Sequence, residues 1–305
     1  MKSRTHVMPG FKCGERRVLM LTCLTLSFFL SSCLTVPSVP ERLKKADNIA
    51  EGMNFKRLLY RTEPFLLTIY EKFQSPGQPL HVYIEGDGYA WVTRNRISTD
   101  PTPLNPVALE LAVKDLAPNV VYIARPCQYT AKEIDDACGD VYWSEKRFSE
   151  DVVNSMDEAV TWYKKKAQSP SVDLIGYSGG GAVAVLIAAR RQDVKSLRTI
   201  AGNLDPKGLN EYYGVSPLDK DSLDPMEVAG KVATIPQYHF VGAKDKVIPS
   251  LISENFSKKS IASACVHIMT VNDADHVNGW AKNWPQLLEV PFSCSESSPS
   301  HTGAK

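Results

Sequence analysis

The segment that most suggests chemistry is a serine set between glycines, in the run Gly176-Tyr177-Ser178-Gly179-Gly180. Residues 172–175 before it are typical of a strand, and the Ala/Val/Leu-rich residues 180–192 after it are typical of a helix. A serine hydroxyl held out at so tight a bend can act as a nucleophile if a base accepts its proton. The alternative is a glycine-rich turn that only joins the strand to the helix.

Candidates for the base and for the acid that orients it follow two later strands. Asp245 comes after the predicted strand 237–241, and His276 comes after the predicted strand 265–271. Because catalytic residues of open α/β sheets lie beyond the carboxyl ends of the strands, we expect both to approach Ser178. Imidazole titrates near neutral pH, so His276 is the predicted base, and Asp245 would fix its tautomer.

Other residues compete for these two roles. Asp205, after the predicted strand 197–201, is an alternative acid, whereas Asp273 and Asp275 are too close to His276 in sequence to reach its far nitrogen easily. Three further histidines fall inside predicted strands, where packing in the core is the better explanation: His81, His239 and His267.

Backbone N–H groups near Ser178 are candidates for an oxyanion hole. One donor would be Gly179 at the start of the helix, and the second would be Asp87 or Gly88 in the loop after strand 80–84. Carboxylates of Glu85 and Asp87 would oppose negative charge there if they pointed inward. We therefore expect both side chains to point away from the oxyanion site, unless Asp87 has a further role. The alternative for Asp87 is that it is only a turn residue.

Strands and helices alternate from residue 80 onward, which predicts an α/β fold with a mostly parallel central sheet and helices on both faces. Two leading strands, 55–62 and 65–73, should form a β-hairpin at one edge. Residues 203–230 lie between two predicted strands, with Tyr212, Tyr213 and Met226 as candidate substrate-facing groups; the alternative is a covering segment packed on the core. Residues 125–129 either wall the pocket or form a loop pinned by a disulfide.

The Gly-x-Ser-x-Gly pattern, with its partners in the order Ser, Asp, His, resembles the nucleophile elbow of the α/β-hydrolase superfamily. Segments 84–88, 124–129 and 176–181 are also similar to those of α/β-hydrolase lipoproteins of Gram-negative bacteria. The resemblance implies an α/β-hydrolase domain over residues 55–293, in which residues 203–230 are the candidate cap. It also implies a serine hydrolase that cleaves a carboxylic ester through an acyl-serine intermediate, without metal or organic cofactor. Many esterases carry His-Gly-Gly-Gly where this chain has Glu85-Gly86-Asp87-Gly88, a departure that affects the oxyanion site.

The first 32 residues predict a secretory signal peptide. Five lysines and arginines against Glu15 give this segment a net charge of +4, and residues 18–30 are apolar but too short to span a bilayer. The run Leu30-Ser31-Ser32-Cys33 resembles the lipobox of bacterial lipoproteins. That resemblance implies cleavage before Cys33, lipidation of Cys33 and, because Leu34 follows, an outer-membrane location facing the periplasm. An ordinary signal with an incidental Cys33 is the alternative.

The segments on either side of the predicted catalytic domain are expected to have little regular structure beyond one helix. Residues 33–54 should hold a linker and an N-terminal helix, and residues 294–305 should be a disordered tail. Four cysteines then remain in an oxidising compartment, which predicts two disulfides among three pairings. Short loops favour Cys127–Cys138 and Cys265–Cys294. No C-x₂-C spacing of a zinc site is present in the sequence.

Composition restricts the class of partner. A chain of 305 residues with 43% hydrophobic residues can bury a sizeable core, and its net charge of +1 lacks the basic excess of nucleic-acid-binding proteins. The two resemblances imply a small-molecule or lipid ester as substrate and a membrane contact through lipidated Cys33. An acyltransferase with the same triad, or a non-catalytic binding lipoprotein, are the alternatives.

Overall fold

The computed structural model describes residues 36–130, 134–261 and 264–292, together with Cys294. From Ser38 onward the described residues form one compact unit. The predicted signal peptide, Cys33 and the tail beyond Cys294 lie outside the described residues, so lipidation and location stay predictions. Within the described part of the chain, no helix has the length and apolarity needed to cross a bilayer.

Eight strands form one central sheet, in the spatial order β1-β2-β6-β3-β7-β8-β9-β10. Two further short strands, β4 and β5, pair with each other in a separate antiparallel hairpin. In chain order the ten strands are Lys56–Arg61, Leu66–Phe73, Leu80–Ile84, Trp91–Thr93, Arg96–Ile97, Asn119–Ile123, Val172–Tyr177, Val194–Ile200, Gln237–Gly242 and Val266–Val271.

Eight α-helices accompany these strands in the described residues, together with a 3₁₀ helix at Asp140–Trp143. Helices α1 to α8 are, in chain order, Val39–Glu51, Val107–Ala112, Glu150–Lys166, Gly179–Ala188, Pro206–Tyr213, Pro225–Val232, Ser250–Lys259 and Trp280–Leu288.

The strand directions confirm the predicted architecture. The pairs β1–β2 and β2–β6 are antiparallel, whereas every other pair in the large sheet is parallel. Strands β1 and β2 form the expected hairpin at one edge. The small β4–β5 hairpin was not predicted; strands of three and two residues are too short to give a periodic signal.

Helices cover both faces of the sheet. Neighbouring residues of one strand belong to different buried clusters: Val82 packs with residues of α3, α4, α6 and α7, whereas Tyr83 packs with residues of α1, α2 and α8. This split follows from the alternation of side chains along a strand. All five residues of β6 are buried, which explains the apolar run at residues 120–123.

Helix boundaries differ from the prediction at two places. The sequence of residues 106–116 predicts a helix over that whole range, but helix α2 ends at Ala112. Beyond it, the Asp115 carboxylate accepts a hydrogen bond from the Ala117 N–H, a local turn that competes with helix, and Pro118 follows. The helix after Ser178 ends at Ala188, with Ala189 as its C-cap, rather than at residue 192.

The candidate cap, 203–230, contains helix α5 and most of helix α6. Ala229 and Val232 of α6 are buried in the core, and Met226 packs against it, so this helix covers the core. Tyr212 on α5 is exposed, and the Tyr213 hydroxyl donates to the carbonyl oxygens of Lys246 and Val247. The residues that border a cavity in this segment are others, described below.

Candidate active site

Ser178 lies at the bend between β7 and α4. Its backbone angles, φ 51° and ψ −121°, belong to a region that residues with a side chain rarely adopt. The Ser178 N–H donates to the Ile200 carbonyl at 2.9 Å, and the Ser178 carbonyl accepts from the N–H groups of Gly181 and Asn203, both at 2.9 Å. The neighbouring strand β8 and its following loop therefore help to hold the bend.

Glycines around Ser178 are required by close approach of the backbone. A Cβ atom on Gly176 would lie 2.3 Å from the Gly180 carbonyl oxygen. One on Gly180 would lie 2.3 Å from the carbonyl oxygen of Ile84, at the end of β3. The glycine pattern thus lets the helix approach both its own strand and the neighbouring strand more closely than a side chain would permit.

Asp245 and His276 meet at the carboxyl ends of the adjacent parallel strands β9 and β10. His276 Nδ1 lies 2.9 Å from Asp245 Oδ2, and the Asp245 side chain is fully buried. The other carboxylate oxygen, Oδ1, accepts from the N–H groups of Val247 at 2.7 Å and Ile248 at 2.9 Å. These contacts fix the carboxylate and leave the other imidazole nitrogen, Nε2, for a different partner.

The loop that carries His276 is tied to the serine bend. The Tyr177 hydroxyl donates to the His276 carbonyl at 2.9 Å, and Trp280 Nε1 donates to the same oxygen at 3.1 Å. Tyr177 is the residue immediately before Ser178. Ser178 and His276 line one cavity of about 420 Å³, to which Asp87 and Gly88 also contribute.

The competing carboxylates have other partners. Asp205 caps α5 by accepting from the Gly208 N–H at 2.8 Å, and its second oxygen accepts from Asn255. Asp273 accepts from Lys282 and Asn283, while Asp275 accepts from the backbone N–H groups of the two residues beyond His276. Among the carboxylates considered from the sequence, the structure therefore brings Asp245 to His276.

The competing histidines also lie elsewhere in the fold. His239 is fully buried beside Thr199, and burial lowers its pKa to about 3, so it is neutral at physiological pH. His81 Nδ1 lies 2.6 Å from Asp115 Oδ2. The His267 ring stacks on the Tyr238 ring, with a centroid distance of 4.9 Å.

Three N–H groups predicted as oxyanion donors have no hydrogen-bond acceptor among the described residues: those of Asp87, Gly88 and Gly179. Gly88 has φ 68°, and a Cβ there would lie 2.0 Å from the Pro101 carbonyl oxygen, so only glycine fits. Unpaired backbone donors are rare in folded proteins, and here they occur beside Ser178.

Glu85 is among the residues that line the cavity, and its carboxylate is held by backbone donors. Its side chain is buried, and Oε1 accepts from the N–H groups of Gly86 at 3.0 Å and Ala108 at 3.4 Å. Burial raises the pKa of Glu85 to about 7, even though these hydrogen bonds act in the opposite direction. Below that pH the group is mostly neutral and does not oppose negative charge nearby.

Asp87 is more than a turn residue. Its Oδ1 accepts from Arg125 Nη1 at 3.1 Å, and its Oδ2 lies 3.4 Å from Arg147 Nε. The carboxylate also packs against the first residue of α4, because a Cβ on Gly179 would lie 2.0 Å from Asp87 Oδ1. The charge near the predicted oxyanion site is thus compensated by two guanidinium groups.

Residues 125–129 support this loop from behind and do not line the cavity. Gln128 Nε2 donates to the Gly86 carbonyl at 2.8 Å, and Gln128 Oε1 accepts from the Arg125 N–H at 3.1 Å. The disulfide Cys127–Cys138 ties the same segment to residue 138. This disulfide and Cys265–Cys294 are both present, which confirms the predicted pairing.

Sequence reasoning missed several residues of the site. Asn203 lines the cavity, is 2% exposed, and its Oδ1 has no hydrogen-bond partner among the described residues. Its position after β8 was a usable signal, since Asp205 was noticed there for that reason. Trp91 and Arg147 also line the cavity, but no motif in the sequence around them indicates a role in the site.

Comparison with known proteins agrees with this geometry. Residues 108–274 match the model of the FSH1 serine hydrolase family, a range that includes Ser178 and Asp245 and ends just before His276. A comparison of the sequence with curated proteins gives no match.

Solved structures with a similar fold include Est1E from Butyrivibrio proteoclasticus, at 12% identity and a TM-score of 0.54, covering 76% of this chain and 95% of that one. An α/β serine hydrolase homologue from Coxiella burnetii matches at 14% identity and a TM-score of 0.52, covering 76% and 93%. The esterase Pf2001 from Pyrococcus furiosus matches at 14% identity and a TM-score of 0.54, covering 79% and 90%.

Proposed function

The chain belongs to the FSH1 serine hydrolase family, and from that premise we propose that it hydrolyses a carboxylic ester through an acyl-serine intermediate on Ser178. The observation that carries the proposal is the Asp245–His276 contact of 2.9 Å, because His276 lines the same cavity as Ser178. The similar folds of Est1E and Pf2001 are compatible with it.

In the first half of the proposed reaction, His276 Nε2 takes the proton of Ser178 Oγ as that oxygen attacks the ester carbonyl. Asp245 holds the proton on His276 Nδ1 and stabilises the imidazolium that forms. The carbonyl oxygen becomes an oxyanion, for which the free N–H groups of Gly179 and of Asp87 or Gly88 are the proposed donors. Collapse of this intermediate expels the alcohol oxygen, which receives the proton from His276.

In the second half, a water molecule attacks the acyl-serine carbonyl while His276 accepts one of its protons. The second tetrahedral intermediate collapses, the proton returns to Ser178 Oγ, and the carboxylic acid leaves. Each half begins and ends with a neutral imidazole, so the enzyme returns to its initial state without a metal or an organic cofactor.

Substitution of Ser178 tests the proposal directly. The purified protein should react with a fluorophosphonate probe at Ser178 and should hydrolyse p-nitrophenyl esters between acetate and palmitate. Ser178→Ala should abolish the labelling and lower kcat by at least about 10³-fold, because the nucleophile is lost while binding and oxyanion donors remain. Peptide mapping of the labelled protein and initial rates are the two measurements.

The matched control is Ser75→Ala, since Ser75 lies in a turn outside the cavity. This variant should keep both labelling and turnover. If folded wild-type protein, verified by circular dichroism, neither reacts with the probe nor hydrolyses any ester in the series, the proposed hydrolase activity is wrong.

A further inference from the structure

A second cavity adjoins the one that contains Ser178. It has a volume of about 580 Å³ and is bordered by the β4–β5 hairpin and by residues 214–218. Trp91 and Arg147 line both cavities. The two cavities therefore share a wall at these side chains, and a substrate bound at Ser178 has room to extend past them.

Arg147 is a rigidly held cation at this shared wall. Its Nη1 donates to the Ser144 carbonyl at 3.0 Å, its Nε lies 3.4 Å from Asp87 Oδ2, and its guanidinium lies over the Phe148 ring at 5.3 Å from the centroid. Among the described residues, no acceptor contacts Arg147 Nη2. The side chain is only 12% exposed, so its unused donors are already oriented and largely shielded from water.

The charges around Arg147 leave a positive excess at the wall. Asp87, its carboxylate partner, is shared with Arg125, whose side chain is 5% exposed and also donates to the Arg147 carbonyl oxygen. Two guanidinium groups thus face one carboxylate. On the side of the second cavity, the lining side chains add the cation Arg94 and the exposed carboxylate of Glu145, which balance each other.

The second cavity also offers apolar contacts. Ile97 and Leu218 line it together with the Trp91 ring, while Asn95 and Asn210 supply polar groups. An apolar segment that links an ester to a charged group could cover these side chains. A guanidinium with free N–H groups is suited to a planar or tetrahedral oxyanion, to which it can donate two hydrogen bonds at once.

We propose that Arg147 binds an anionic group, a carboxylate or a phosphate, on the non-reacting part of the ester, and that this part occupies the second cavity. The inference rests on the proposed hydrolase function and adds the substrate class to it. The preferred substrates would then be esters that carry a negative charge a few bonds away from the carbonyl group.

Matched esters test the inference. The mono-p-nitrophenyl ester of adipic acid carries a free carboxylate, whereas p-nitrophenyl methyl adipate has the same chain without the charge. A phosphonate-ended ester of the same length distinguishes a preference for phosphate from one for carboxylate. We expect kcat/KM to be about 10–100-fold higher for at least one of the anionic esters than for the neutral one, as a charge-assisted hydrogen bond provides.

The ratio of kcat/KM between anionic and neutral esters is measured within each variant. Arg147→Gln should reduce this ratio to near one. If the loss of the Arg147–Asp87 contact lowers activity in general, it lowers kcat/KM for both esters alike and leaves the ratio unaffected. Lys146→Gln is the matched control, because Lys146 is the adjacent residue, lies outside both linings and pairs with Asp221. That variant should keep the wild-type ratio.

Equal kcat/KM for charged and neutral esters in the wild type, or a ratio that Arg147→Gln leaves unchanged, would overturn the inference. Calorimetric titration of the same esters into Ser178→Ala protein separates it from the hydrolase proposal. If no ester is hydrolysed, but Ser178→Ala binds the anionic ester at least about tenfold more tightly and Arg147→Gln removes this difference, the subsite stands and the hydrolase proposal falls.

Discussion

The Asp245–His276 pair and the predicted oxyanion loop, residues 85–88, reach the same cavity through His276 and through Glu85, Asp87 and Gly88, but they are held in different ways. The Asp245 carboxylate is fixed by backbone N–H groups two and three residues further along the chain. The oxyanion loop is fixed mainly by side chains from distant segments: Gln128 reaches Gly86 over 42 residues, and Arg125 reaches Asp87 over 38.

This difference indicates which residues in and around the site should tolerate substitution. A carboxylate that its own loop orients keeps its position as long as the strand before it is intact. A loop held by remote side chains depends on residues that do no chemistry themselves. We therefore expect the Asp245–His276 pair to be disrupted mainly by substitution of Asp245 or His276 themselves. The oxyanion loop should also be disrupted by substitution of the residues that hold it, Gln128 and Arg125.

The largest effect after that of Ser178 should come from Asp245→Asn. An amide at this position can no longer hold the proton on His276 Nδ1 or stabilise the imidazolium, so we expect kcat to fall by about 10³–10⁴-fold. Steady-state rates with a p-nitrophenyl ester measure this directly. A loss of less than about tenfold would mean that another carboxylate orients His276.

The matched control is Asp205→Asn. Asparagine caps a helix as well as aspartate does, so α5 should stay intact and turnover should stay within about threefold of the wild type.

A smaller effect is expected from Gln128→Leu, which removes the donor to the Gly86 carbonyl and the acceptor for the Arg125 N–H. The loop would shift relative to Ser178, and loss of one aligned oxyanion donor typically costs about 10²–10³ in rate. We expect about a 10²-fold decrease in kcat with KM nearly unchanged, because the donors act chiefly in the transition state.

Gln78→Leu, in an exposed turn, is the comparison variant and should leave both constants unchanged. Should Gln128→Leu raise KM while kcat stays the same, Gln128 would support substrate binding and not the geometry of the oxyanion donors.

The smallest effect on turnover, but a distinct effect on stability, is expected from Glu85→Gln. Because burial raises the pKa of Glu85 from 4.5 to about 7, the folded protein binds this proton more tightly than the unfolded chain does. The stability of the wild type therefore falls as pH rises from 4.5 to 7, whereas glutamine stays neutral throughout. Above pH 7 the variant should be more stable by up to about 3 kcal/mol.

Urea unfolding at pH 4 and pH 8 measures the two limits, and the difference between variant and wild type should nearly vanish at pH 4, which lies below the pKa of Glu85 in both states. Glu51→Gln, at the exposed end of α1, should show no such dependence. A stability difference that is the same at both pH values would show that Glu85 does not titrate in this range.

Much of the fold and part of the site could be predicted from local patterns. The alternation of strands and helices predicted the mostly parallel sheet with its edge hairpin. The short sequence separation between paired cysteines predicted both disulfides. Ser178, Asp245 and His276 each follow a predicted strand, so the topology alone indicated that they would meet. Their catalytic roles remain predictions, although the placement of Asp245 against His276 agrees with them.

The supports of the oxyanion loop and the second cavity could not be predicted in this way. Arg147 pairs with Asp87 across 60 residues, and nothing in the sequence around either position signals that contact. Trp91 belongs to a hairpin whose strands are too short to show a period. Contacts of this kind depend on how the loops at the carboxyl ends of the strands pack against one another. The periodicity of apolar residues in the sequence carries no information about that packing.

The contact between Asp87 and Gly179 has a consequence for how this site can change during evolution. The Asp87 carboxylate occupies the space that a side chain at position 179 would need. An alanine at 179 would become acceptable only after position 87 had lost its carboxylate, and Arg125 and Arg147 would then lack their shared partner. These four positions should therefore covary among homologues, so that lineages with a side chain after the serine have also replaced Asp87 and at least one of the two arginines.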